Sequence, residues 1–282
     1  MRVLITGDKG FVGKATTEYI RDVSPQSEVI GYDLMDGRDI RDFNQLCYII
    51  EQYGPDRILH LAAIARFADA DADPKLAHET NVLGTKNVVE AAKKYHLPLV
   101  YASTGSVYMP INDEPPITED FPVKGNSVYG CTKALGEKYV QEHTPHIILR
   151  YAHLYGKEKR HHGLIGGFMD RINRGLAPKL YGGKQSNDFC YVDDVARANF
   201  ISLTSSWDKW NNAYNIGTGE ELSAEEAGKI ICEKANYKGK IEKVKAREVD
   251  ANRFVYDMSK SRDLLGFTPI FNFEEGLEDM GL

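Results

Sequence analysis

The chain has 282 residues, a formal charge of −6 at pH 7 and a 42% hydrophobic share, enough for one large domain, or a main domain with a smaller partner, around a buried core. The acidic balance disfavours nonspecific binding to nucleic acid, whose phosphates require a basic face, and leaves a small molecule as the expected partner. No apolar run approaches the ~20 residues of a membrane span, and MRVLITG enters a strand pattern without a charged leader or cleavage site, so a soluble, cytoplasmic protein with no membrane partner is expected. Cys47, Cys131, Cys190 and Cys232 are scattered without a CxxC or Cys/His spacing. That argues against a disulfide framework and a metal site, and for small core or semi-buried residues.

In chain order, strand-like runs VLIT (3–6), EVIGYD (28–33), RILHLAA (57–63) and PLVYAS (98–103) alternate with helical spacing, as in NVLGTKNVVEAAKKY (81–95). The alternation predicts βαβ units and a parallel sheet. The first strands are almost continuously apolar, as strands are when helices cover both faces, so an α/β, Rossmann-type, doubly wound sheet is expected. DADADP (69–74) reads as an acidic, solvated loop. After HIILRYAHLYG (146–156) the pattern loosens into a basic loop, KEKRHHG (157–163). The expected division is a dinucleotide-binding domain over 1–156 and a smaller, mixed α/β substrate domain over 157–282, with a segment near 188–212 packing back on the first.

In ITGDKGFVGKATTEYI (5–20), Gly7, Gly10 and Gly13 follow the first strand and, with Phe11 and Val12, open a helix. Gly7 permits a tight turn, Gly10 lets the backbone approach a pyrophosphate, and Gly13 allows close packing. The helix N-terminus offers N–H groups to the anion. The second strand ends in Asp33, where a carboxylate accepts bonds from an adenosine ribose and repels a 2′-phosphate. This favours NAD, although Arg38 and Arg41 nearby leave room for NADP.

In NSVYGCTKALGEKY (126–139), Tyr129 and Lys133 stand four apart and project from one helix face. Alone, the pair reads better as an exposed Tyr and Lys on an amphipathic helix. A tyrosine is a poor base near neutrality, but an adjacent ammonium and an oxidised nicotinamide favour its phenolate. It could then take a proton from a substrate hydroxyl while hydride leaves the same carbon. Thr104, at the end of the fourth strand, is placed to hydrogen-bond the reacting oxygen.

These residues resemble the extended short-chain dehydrogenase/reductase family, in particular its nucleotide-sugar epimerase and dehydratase branch. The resemblance runs over TGDKGFVG, Asp33, GRDIRD (37–42), HLAA (60–63), NVLGT (81–85), STGSVY (103–108), YGCTK (129–133), LRYAHLYG (149–156), DFCYVDDVA (188–196), YNIGTG (214–219) and LLGFTP (264–269). It implies an NAD cofactor, a contact of Asp39 with adenine beside Ile40, and a lining of Leu61, Ala62 and Ala63 along ribose and phosphates, a role compatible with their also being strand core. It places Tyr151 by the nicotinamide and Asn81 near the active site, the latter equally readable as a buried amide satisfying backbone. A homodimer through paired helices, one bearing Tyr129, is implied too.

Family dehydratases carry an acidic pair after the catalytic threonine, and decarboxylases a glutamate in place of Ser106. Here those positions are Gly105 and Ser106. Elimination lacks its proton donor, worth ~10²–10⁴-fold in rate. Reversible oxidation and reduction remains. The substrate contacts implied are Ser103, Thr104, Tyr129, His153, Asn187 and Arg247. Asn187 stands where the family has an arginine on the substrate diphosphate, His153 where it has an asparagine, and Arg247 matches a second diphosphate arginine. Lys157, Lys159, Arg160, His161 and His162 could compensate for the lost charge or form a solvated run, and Met109 replaces a usual glycine. The leading expectation is an NAD-dependent nucleotide-sugar 4-epimerase working through a 4-keto intermediate. The alternatives are an NAD(P)-dependent ketoreductase or dehydrogenase of a 4-keto sugar or other small alcohol, and a non-catalytic dinucleotide sensor.

Overall fold

The structure, a computed structural model, describes residues 1–108, 116–143, 145–157, 163–245 and 253–282. Met109, Lys159, Arg160, His161, His162 and Arg247 therefore lie outside the described residues.

Six parallel strands form the central sheet: β1 (Arg2–Thr6), β2 (Glu28–Tyr32), β3 (Arg57–His60), β4 (Leu99–Thr104), β5 (His146–Tyr151) and, from much later in the chain, β10 (Asn212–Ile216). Their order, β10-β5-β4-β3-β1-β2, reverses direction at β1. Such a switch point opens a crevice at the carboxyl ends of the strands, where this class of sheet binds its ligand.

Strand alternation sorts the apolar residues onto two faces. Val3, Ile5, Leu59, Val100 and Leu149 meet Ile20 of α1 (Phe11–Val23) and Val195, Ala198 and Leu203 of α8 (Val192–Thr204). Leu4, Ile30, Ile58, Leu99 and Ile148 meet Leu46 and Ile50 of α2 (Phe43–Tyr53), Val88 and Ala92 of α5 (Thr85–Lys94), and Val140 of α6 (Val128–Gln141). Burial on both faces is why these strands read as continuous apolar runs. The boundary at 156 is crossed by α8, which packs on α1, and by β10, which lies just past the 188–212 segment and completes the sheet beside β5.

The acidic stretch expected as a loop is helical: α3 (Phe67–Ala72) runs through it, and Asp73 caps α4 (Pro74–His78) by accepting from Leu76 N at 2.9 Å. Asp69 in the first turn of α3 suits the positive helix end. A wide π-helical turn, Glu79–Gly84, joins α4 to α5. The smaller lobe gathers α7 (Gly163–Asn173), α9 (Ala224–Lys234) and α10 (Phe273–Asp279) around Phe168, Leu180, Ile231 and Leu277. Short pairs complete it: β6 (His153–Tyr155) with β9 (Phe189–Tyr191), β7 (Lys179–Tyr181) with β12 (Glu242–Val244), and β8 (Ser186–Asn187) with β11 (Leu222–Ser223). Cys47, Cys190 and Cys232 are buried, whereas Cys131 lies on the exposed face of α6. Among the described residues no helix is long and apolar enough to cross a membrane.

Candidate active site

The glycine loop has the geometry its spacing implies. Gly7 sits at φ +74°, and a β-carbon there would stand 2.8 Å from Ala62 N. One on Gly13 would collide with the Gly7 carbonyl. Gly10 caps α1 without a side chain and no acidic residue follows in the first turn, so the positive helix end at Phe11 and Val12 is not neutralised there. Asp33 follows directly on β2, its carboxylate accepting from Lys9 N at 3.2 Å and Met35 N at 2.8 Å. A carboxylate has about four acceptor sites, which leaves capacity for ribose hydroxyls.

Asp39 is held by Arg41, whose guanidinium keeps its carboxyl below the usual range. Ile40 is buried against Gly84. Leu61, Ala62 and Ala63 are half-buried beyond β3, with Leu61 N bonded to Thr6 O and Ala62 N to Thr6 Oγ1.

That threonine starts a directed chain. Thr85 Oγ1 donates to Asn81 O at 2.7 Å, so His60 Nε2 must donate to Thr85 at 3.0 Å. Burial pushes the imidazole pKa down to about 3, so the ring is neutral and its Nδ1 accepts from Thr6 at 2.7 Å. Asn81, fully buried, accepts from Ile64 N at 2.8 Å and donates to Ile64 O and Thr132 Oγ1, each at 3.0 Å. Its amide satisfies backbone and ties the loop after β3 to α6.

Ser127 caps α6 and starts the helix two residues before Tyr129. Burial pushes the Tyr129 phenol up to about 12, and a hydrogen bond with Thr104 opposes the shift. Lys133 is 2% exposed and its Nζ lies 4.0 Å from the centre of the Tyr101 ring. No side chain among the described residues accepts a hydrogen bond from it. Burial lowers its pKa to about 7, against the attraction of Glu137 one turn along. A buried ammonium short of acceptors fits a cofactor that brings hydroxyls, and with the glycine loop and Asp33 the crevice fits a dinucleotide.

Two of the expected residues bond inside the protein. Strand alternation turns Ser103 away from Thr104, and its buried hydroxyl donates to Glu137 at 2.6 Å instead of facing substrate. Tyr151 donates its hydroxyl to Asn199 of α8 at 2.6 Å, and its ring lies in the core. His153 is exposed and packs edge-on to Phe189 at 5.5 Å, while Asn187 is half-buried on β8. Lys157 pairs with Asp279 at 2.7 Å.

Several residues at the site had no distinct signal in the sequence. Glu137 and Arg150 form a buried pair (Nε–Oε1 3.0 Å, Nη2–Oε2 2.8 Å) behind α6. Its signals were only a carboxylate four after Lys133 and a cation inside an apolar strand. Asp188 is fully buried and accepts from Thr218 N and Oγ1, both at 2.7 Å, and from Gly219 N at 2.9 Å, fastening YNIGTG to the DF pair. Arg253, paired with Glu221 at 2.8 Å, bridges by backbone to Ser186 beside Asn187. Phe67, 49% exposed, stands edge-on to Tyr129 with ring centres 5.5 Å apart. Phe254 covers Gly105: a β-carbon on residue 105 would collide with its ring and lie 2.7 Å from the Tyr256 hydroxyl.

A parallel sheet with a glycine-loop crevice, and a tyrosine, lysine and threonine at its open end, define an NAD-binding enzyme of the extended short-chain dehydrogenase/reductase type. The chain belongs to the NAD dependent epimerase/dehydratase family, whose model matches residues 3–217. It is 29% identical over 98% of its length to a dTDP-glucose 4,6-dehydratase of Haemophilus influenzae, 96% of which is covered. It is also 29% identical over 98% of its length to a UDP-glucuronate 4-epimerase of Thermodesulfobacterium geofontis, 93% of which is covered. The crystal structure of a Thermus thermophilus UDP-glucose 4-epimerase in complex with NAD superposes with a TM-score of 0.87 at 28% identity, covering 100% of this chain and 99% of that one.

Proposed function

We propose that the protein is a nucleotide-sugar 4-epimerase, with Tyr129, Lys133 and Thr104 as its catalytic residues. The observation that carries this reading is the contact of Phe254 with Gly105: the space beside Thr104 into which a general acid would project holds an aromatic ring. A relative that performs dehydration and one that performs epimerisation match this chain equally well, so the local chemistry must decide between them. Without an acid at that position, expulsion of a hydroxyl lacks its proton donor.

Tyr129 Oη takes the proton from the substrate C4 hydroxyl, and Lys133 holds the phenolate and the nicotinamide ribose. Thr104 Oγ1 donates to the reacting oxygen. NAD, when bound, would supply the hydride acceptor for C4 and the hydride donor for the reverse step. The 4-keto sugar turns its other face in the crevice, and the return of hydride to C4 with the proton from Tyr129 gives the 4-epimer. The smaller lobe, with His153, Asn187 and Arg247, is assigned to the nucleotide diphosphate. Exposed Leu83, Cys131 and Leu135 are assigned to a homodimer contact.

The substitution of asparagine for arginine at 187 favours one second reading, a dehydrogenase or ketoreductase of a substrate without a diphosphate. Tyr129→Phe tests the assignment common to both. A fall in turnover of about 10²–10⁴-fold with NAD still bound is expected; retained turnover would remove Tyr129 from the mechanism.

A further inference from the structure

The crevice that receives the adenosine ribose is lined by five carboxylates, Asp8, Asp33, Asp36, Asp39 and Glu79, and three cations, and their bonding is unequal. Lys9 Nζ pairs with Asp36, Arg38 donates to the Gly31 carbonyl, and Arg41 is held by Asp39 at 2.6 Å and lies 3.8 Å from Glu79. Each cation near the end of β2 is therefore engaged. Asp33 accepts two backbone N–H groups. Asp8, the residue after Gly7, packs its carboxyl against Gly31, where a β-carbon would lie 2.7 Å from Asp8 Cγ. Its Oδ1 is buried and accepts no hydrogen bond among the described residues. Orphaned acceptors of this kind are rare in folded proteins because losing water without a replacement donor costs free energy. Burial first, and the Asp33 charge second, hold the Asp8 carboxyl above the ordinary aspartate range, as expected of a group in a negative field.

We propose that Asp8 is a cofactor-selecting residue: together with Asp33 it makes the ribose end of the crevice negative, so that NAD is accepted and NADP is refused. The argument is electrostatic and needs no direct contact. The 2′-hydroxyl of NAD is neutral and can donate a hydrogen bond to Asp33. A 2′-phosphate only accepts, and carries a charge near −2, as phosphate monoesters do at neutral pH. It would enter a crevice where Lys9 and Arg41 already face carboxylates, Arg38 is bonded to a carbonyl, and carboxylates outnumber cations. Inside a crevice such repulsion is screened less than on an open surface. At an effective dielectric constant of about 40 and a separation of about 10 Å, one carboxylate facing a doubly charged phosphate shifts affinity by about tenfold.

The test measures Kd for NAD and for NADP by titration calorimetry, after removal of any copurified dinucleotide, on the wild type, Asp8→Asn and Asp33→Asn. Asparagine keeps the shape and removes the charge. The ratio of Kd for NADP to Kd for NAD is expected to exceed one in the wild type and to fall about tenfold in Asp8→Asn, with a fall also in Asp33→Asn. If Asp33→Asn lowers the ratio and Asp8→Asn leaves it unchanged, selection belongs to Asp33 alone and the proposal fails. A wild type that binds both dinucleotides equally also overturns it. Circular dichroism checks the fold, and Asp8→Ser replaces Asp8→Asn if the latter does not fold.

Discussion

Replacing Lys133 with methionine isolates the cost of holding an ammonium inside the protein. The side chain is 2% exposed and burial lowers its pKa from 10.5 to about 7. Because the folded-state value lies below the unfolded one, the unfolded chain binds more protons between these limits, and this residue makes the protein gain stability as pH rises through that window. Linkage puts the penalty at about 4 kcal/mol at pH 7, about 2 at pH 9 and under about 1 at pH 10. Methionine has similar length and no charge. Lys133→Met should therefore be more stable than the cofactor-free wild type near neutrality, with the advantage shrinking towards pH 10, while turnover collapses. Urea unfolding of both proteins at pH 7, 8, 9 and 10 reads the difference. Two parallel curves would show that Lys133 is solvated or paired in the folded state, and its assigned role as a buried cation awaiting the cofactor would fail.

Three other substitutions bear on the site. Gly105→Asp places a side chain into the Phe254 ring and should cost about 1–3 kcal/mol without conferring dehydratase activity; thermal unfolding of Gly105→Asp with Phe254→Ala should recover part of the loss. His60, with a pKa lowered from 6.5 to about 3, is neutral when folded and protonated below pH 6.5 when unfolded. Stability should therefore be greatest above pH 6.5 and decline towards pH 3, with a shallower decline in His60→Asn in acid titration of the folded state. Phe67→Ala removes an edge-to-face contact with Tyr129 worth about 1 kcal/mol, and steady-state kinetics should show a several-fold rise in KM for the sugar nucleotide without a matching loss of bound NAD.

What was legible in the sequence is what local geometry determines. Gly7 and Gly13 answer to backbone requirements that no other residue meets, and Tyr129 and Lys133 to the helical repeat. What was hidden depends on which strand face a residue takes and what lies across from it. Ser103 and Thr104 are neighbours with similar side chains, yet one is bonded to Glu137 inside the protein and the other lies against the Tyr129 phenol. Tyr151 borders the crevice in sequence but bonds Asn199, 48 residues away. The Glu137–Arg150 pair, the Asp188 clasp and the Phe254 cover on Gly105 all join distant segments. The acidic run at 69–74 was opaque because its composition suits solvent, whereas its order suits helix starts: Asp69 stands in a first turn and Asp73 at a cap.

The proposed reaction requires that hydride leave C4 of a nucleotide sugar and return to the same carbon. Incubating the protein with UDP-glucose and UDP-glucuronate deuterated at C4, and following the sugars by NMR, reads that transfer. A 4-epimer that keeps its deuterium, with no net reduced cofactor, is expected. Loss of a hydroxyl from the sugar, deuterium accumulating in released reduced cofactor, or no turnover of either sugar would contradict it.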